Sequence, residues 1–122
     1  MENRRSYSRL NTNVLANLYE CLENKEIPCT VRNISEYGIC FETSKNTPFA
    51  SRLHKGDSLS FQFIDSFMMD GEMETDVLSE RSTIMHVTDS DDGDTTLVGC
   101  YLNKKKFRRY FLHKQLHSMF FS

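Results

Sequence analysis

A chain of 122 residues with 39% hydrophobic side chains and a net charge of −2 suits one domain with one core, and it is too short for two. No apolar stretch follows the basic start as a secretory signal requires, and no run approaches the roughly eighteen residues of a transmembrane helix, so a soluble cytoplasmic protein without membrane insertion is expected. The small net charge conceals three blocks: Arg4, Arg5 and Arg9 against Glu2 in residues 1–9, ten acids against Arg81 alone in residues 65–94, and six Lys or Arg with no acid in residues 95–122.

Residues 1–12 are polar, arginine-rich and without hydrophobic pattern, which predicts a flexible N-terminal arm. Asn13 to Cys21 reads as a first strand, with Val14, Ala16 and Leu18 on one side and Leu15 and Tyr19 on the other. A polar turn at Glu23-Asn24-Lys25 leads to a second strand from Ile27 to Ile34. Ser35 to Gly38 is a tight turn into a third strand, Ile39 to Thr43. Asn46 to Lys55, containing Pro48, is a loop that ends at Gly56-Asp57. Leu59, Phe61 and Phe63 then alternate with Ser60, Gln62 and Ile64 in a strand with one buried face.

Asp70-Gly71 marks a hairpin, followed by a long bent strand to about Thr88 that is weak around Ser79 to Ser82. Asp92-Gly93 marks another hairpin before a last strand, Thr96 to Leu102. The sum is a mainly β fold: a small six-stranded antiparallel (split) β-barrel over residues 13–103, with a C-terminal α-helix over 104–122 packed on it. That helix has two apolar faces, Phe107, Tyr110 and Phe111 on one and Leu112, Leu116, Met119 and Phe120 nearly opposite. One face covers the barrel; the other is free for a partner or a homodimer, or marks a frayed end.

Cys21, Cys29, Cys40 and Cys100 include no CxxC pair and sit in apolar stretches, as reduced core thiols do. His113 and His117 have metal-ligand spacing on the helix but lack a third ligand nearby, so no metal site is expected. No nucleophile motif and no acid–base pair at a defined spacing is present, which argues against an enzyme.

Two motifs carry chemistry. Arg5-Ser6-Tyr7-Ser8-Arg9 places two guanidinium forks four residues apart, each able to grip a phosphate or the O6/N7 edge of guanine. Asn33-Ile34-Ser35-Glu36-Tyr37-Gly38 supplies short side chains that donate and accept at a turn. Taken alone, the second motif reads as turn chemistry. The pair in this order, 23 residues apart from Leu10 to Arg32, resembles the PilZ family of bacterial cyclic-di-GMP receptors. Leu97-Val98-Gly99-Cys100-Tyr101-Leu102 is similar to a late strand of that family.

The resemblance implies a receptor without catalytic activity or cofactor, whose ligand is cyclic-di-GMP and whose site is Arg4, Arg5, Arg9, Asn33, Ser35, Gly38 and Gly99. Asn33 stands where many members have Asp, and His86 where some have Trp. Arg4, just before the first motif, implies two ligand molecules per chain. The output implied is an ordered arm that alters the surface shown to an unidentified protein target in motility, biofilm or virulence control. The rival reading is a nucleic-acid or anionic-surface binder using the basic helix. The negative total charge and the lack of an aromatic row among basic strand residues count against it.

Overall fold

Alternation of apolar and polar side chains recurs in separate stretches between Leu10 and Tyr101, and these form the strands. The structure is a computed structural model that describes residues 9–20, 25–46 and 53–121. Its elements are β1 (Leu10–Glu20), β2 (Lys25–Ser35), β3 (Gly38–Ser44), β4 (Ser58–Met69), β5 (Glu72–Asp89), β6 (Thr95–Tyr101) and α1 (Lys105–Phe121). All strand pairs are antiparallel, in the closed order β1-β2-β3-β6-β5-β4. The ring shuts where β1 meets β4, from Ala16↔Phe63 to Tyr19↔Ser60.

Inward residues of every strand form one core. Leu18, Val31, Ile34, Phe41, Phe61, Leu78, Ile84 and Val98 are fully buried, and the Phe41 and Phe61 rings meet at 5.2 Å. Predicted alternation in the first strand matches: Ala16 and Leu18 are buried, Val14 packs on the core, and Leu15 is exposed.

Three boundaries differ from expectation. β1 starts at Leu10 and not at Asn13, inside the stretch predicted as arm, because Leu10 packs on the core and pairs with Ile34. A bulge between Asn11 and Val14 hid the alternation there, and Thr12 Oγ1 donates to Val31 O at 2.6 Å beside it. β4 runs on to Met69, so the β4–β5 hairpin is longer than predicted, with Phe67 buried beyond the barrel rim. Its turn is Asp70-Gly71, both at positive φ (53° and 81°), as a two-residue hairpin turn requires. Ser79 to Ser82 is no weak point, since it pairs with Gln62 to Leu59 and the buried Ser82 hydroxyl donates to Leu59 O at 2.9 Å.

α1 packs through Phe107, Tyr110 and Phe111, all buried. Tyr110 is its anchor. The ring meets Phe63 (5.3 Å) edge-on and also contacts Phe67 and Phe107. Its hydroxyl donates to Asp65 Oδ2 at 2.8 Å, and Lys114 Nζ approaches the same oxygen at 3.0 Å. Burial, then the Asp65 hydrogen bond and the charges of Asp65 and Asp76, push the Tyr110 phenol well above its usual range. Leu112, Leu116 and Met119 lie on the exposed side, as the helical spacing predicted.

Cys29, Cys40 and Cys100 are free thiols, and Cys21 lies outside the described residues. Burial pushes Cys29 up to about 12 and Cys100 up to about 11, the latter partly offset by a Ser82 hydrogen bond. An unfolded thiol ionises near pH 8.5, so between that pH and the folded values the unfolded chain loses protons that the folded chain keeps. Stability is therefore full below about pH 8 and falls as pH rises towards 11–12. Denaturant midpoints measured from pH 7 to 11 are expected to drop, and Cys29→Ala to flatten the slope. A midpoint rising with pH would contradict the burial of both thiols.

Candidate ligand cleft on the outer face of the barrel

A backbone irregularity on each side of the β3–β6 pair shapes the site. β2 has a register shift between Val31 and Asn33, and β5 has one between Ile84 and His86. An extra residue breaks strict alternation, so two successive side chains leave the core: Arg32 with Asn33, and Met85 with His86. Between them lies a cleft of about 510 Å³ whose wall includes Arg9, Asn33, Ser35, Gly38, His86 and Gly99. Tyr37, Cys40, Met85, Tyr101 and Asn103 complete much of it.

Each wall residue has a local cause. Ser35 and Gly38 close the β2–β3 turn as a cross-strand pair, and Asn33 pairs with Cys40. Gly38 ends the tight turn that the sequence marks at Ser35 to Gly38. It is absent from the positive-φ residues, and its role is space: a methyl group there would lie 3.0 Å from Ser35 Oγ. The hydroxyl thus sits over Gly38 and is aimed by it.

Gly99 lies opposite His86 across the β5–β6 pair. A methyl group on it would overlap Nε2 and Cε1 of His86, so the imidazole occupies that space. His86 is a cleft residue because Gly99 seats its ring. Gly99→Ala is expected to swing the exposed ring outward at a cost below about 1 kcal/mol, since an exposed side chain can change rotamer. The His86 ring resonances in an NMR spectrum should move; unchanged resonances would show that Gly99 does not set the ring.

Electrostatics favour an anion at one end. Arg9 is exposed and close enough to Cys40 for its charge to act on the thiol; burial nonetheless raises the Cys40 pKa, with Glu42 raising it further and Arg32 opposing. Arg32 itself is committed, with Nε 3.3 Å from Glu42 Oε1 and Nη1 donating to Asn13 Oδ1 at 3.3 Å. At the far end Tyr37 and Tyr101 stack at 6.4 Å, and the Arg108 guanidinium lies over the Tyr37 ring at 5.5 Å. Arg108 also donates to Asn103 Oδ1, and Leu102 N donates to Tyr37 O at 3.1 Å. The first turns of α1 are therefore fastened to the cleft wall.

Of the seven residues marked in the sequence, Arg9, Asn33, Ser35, Gly38 and Gly99 share this cleft. Arg4 and Arg5 lie outside the described residues, as does Tyr7. Sequence reasoning missed Met85, Tyr101 and Asn103. Tyr37 was readable, since it sits inside the N-x-S-x-x-G motif. Met85 was not, because only the bulge turns it outward.

His113 and His117 do not gather a metal site: among the described residues no three His, Cys, Asp or Glu side chains come together. His117 Nδ1 sits 3.2 Å from Met68 O, with its ring against Phe67. Among the described residues no helix is long and apolar enough to cross a membrane.

Comparison with known proteins gives a consistent picture. Residues 3–110 match the family model described as PilZ domain. The structure is similar to the inhibitor of motility MotI/DgrA of Bacillus subtilis, with TM-score 0.68 and 16% identity, covering 95% of this chain and 53% of that one. The chain thus spans about half the length of the Bacillus protein. It is also similar to the PilZ domain of YcgR from Escherichia coli, solved with c-di-GMP, with TM-score 0.64 and 12% identity over 96% of this chain and 97% of that one. No curated protein matches the sequence significantly.

Proposed function

The chain belongs to the PilZ domain family, and on that premise we propose that it is a cyclic-di-GMP receptor whose site is the cleft between the two bulges. The observation that carries this reading is the convergence of Arg9, Asn33, Ser35, Gly38 and Gly99, distant in sequence, on one cleft. Arg9 and Arg5 grip a phosphate and the O6/N7 edge of a guanine, as paired N–H forks suit paired acceptors. Asn33 and Ser35 accept from the guanine N1 and N2 donors. The His86 ring offers a flat face beside them. Arg4 serves a second ligand molecule, stacking on a purine and reaching a further phosphate.

Nothing in this site performs chemistry on the ligand; it is a receptor and not an enzyme. Hydrolysis of a phosphodiester calls for metal-held carboxylates or an equivalent activated nucleophile, and the described residues of the cleft wall include no carboxylate. Signalling follows from the site's position. Arg9 links the arm to the cleft, and Arg108 links the cleft wall to α1. A ligand that orders the arm then changes the surface offered to a protein target. We place this in the cytoplasm, and in motility, biofilm or virulence control; the Bacillus neighbour is itself named an inhibitor of motility.

Titration calorimetry with cyclic-di-GMP tests the reading. Binding with a ratio of two per chain is expected, with Arg4→Leu moving it towards one. Cyclic-di-AMP should compete poorly, because adenine places an amino donor where guanine has O6. Equal competition by cyclic-di-AMP, or a preference for single-stranded RNA with steep salt dependence, would replace this reading with the nucleic-acid alternative.

A further inference from the structure

We infer that a second copy of this chain docks across the exposed face of α1, giving a two-fold dimer in which each helix meets the helix and hairpin tip of the other. The helix has a buried side, Phe107, Tyr110 and Phe111, and an opposite stripe of Lys105, Arg109, Leu112, Leu116 and Met119, every one exposed. Leu112 is 48%, Leu116 42% and Met119 70% exposed, an apolar run that no described residue covers. The stripe therefore starts basic and ends apolar, and no acidic residue occurs anywhere in α1.

The surface continues past the helix. The C-terminal half of α1 lies on the β4–β5 hairpin, where Phe67 and the Met68 carbonyl meet His117. Phe67 pairs with Glu74 and Met69 with Glu72, so strand alternation puts Glu72 on the same hairpin face as Phe67, next to the exposed turn residue Asp70. Along one side of the molecule the order is basic, apolar, acidic.

Such an order is complementary to itself when turned through a two-fold axis at its apolar centre. Lys105 and Arg109 of one protomer then face Glu72 and Asp70 of the other, and the leucines meet. An isologous interface needs this self-matching. An anionic membrane would match only the basic and apolar parts and would repel Asp70 and Glu72. An acidic protein partner carries the same conflict.

Sedimentation equilibrium of the full chain tests the proposal, without ligand. A species of twice the 14.3 kDa chain mass is expected. Leu116→Glu should give folded monomers whose thermal midpoint no longer depends on protein concentration, because Leu116 is exposed in the protomer. Arg109→Glu should weaken association by about tenfold or more through like charge opposite Glu72. The double variant Arg109→Glu with Glu72→Arg restores both cross-pairs and should recover the dimer. Met73→Glu, on the opposite hairpin face, should have no effect.

A wild type of single-chain mass at several hundred micromolar would overturn the inference. So would an open-ended polymer, a dimer that survives Leu116→Glu, disruption by Met73→Glu, or a double variant no better than Arg109→Glu.

Discussion

Arg9→Ala is expected to lower cyclic-di-GMP affinity by about tenfold to a hundredfold, while the thermal midpoint stays that of the wild type. A guanidinium that pairs with phosphate or guanine through two charge-assisted bonds contributes about 1–3 kcal/mol per pair. Its side chain is exposed and fills no part of the core, so truncation opens no cavity. Arg5→Ala should act similarly, as the other fork of the motif. Asn33→Ala and Ser35→Ala should cost less, each removing a single hydrogen bond. Calorimetry on the four variants gives the ranking, and wild-type affinity in Arg9→Ala would remove the proposed site.

Tyr110→Ala should be the most damaging substitution in the helix, costing about 3–5 kcal/mol and lowering the thermal midpoint by roughly 10 °C or more. The ring touches Phe63, Phe67 and Phe107, so its loss leaves a cavity under α1. Asp65 then keeps only Lys114. Tyr110→Phe separates the two contributions: it retains the ring and removes one hydrogen bond, for about 1–2 kcal/mol. Chemical denaturation of both variants measures the difference. If Tyr110→Phe were as damaging as Tyr110→Ala, the Asp65 bond and not the ring would hold the helix.

The strands were legible because alternation and turn chemistry are local. Leu59, Phe61 and Phe63 announced a half-buried strand, and Asp70-Gly71 announced its turn through residues that tolerate positive φ. The turn at Asn33, Ser35 and Gly38 was legible for a similar reason, since these short residues lie close together along the chain and flank one hairpin connection. The split of α1 into a buried and an exposed face followed from helical spacing alone.

Where alternation breaks, sequence reading failed. Bulges at Asn11–Val14, Val31–Asn33 and Ile84–His86 each add a residue that local preference does not reveal, because they depend on register with a neighbouring strand. The missed start of β1 and the outward Met85 both follow from this.

The sequence by itself determined the strand-rich domain, its hairpins and the candidate motifs, since each rests on residues close together along the chain. Only the tertiary structure decided that β3 lies beside β6 and β6 beside β5, bringing Cys40 opposite Gly99 and Gly99 opposite His86. That neighbourhood also lets the missing side chain of Gly99 seat the His86 ring, a contact between strands that no local pattern encodes.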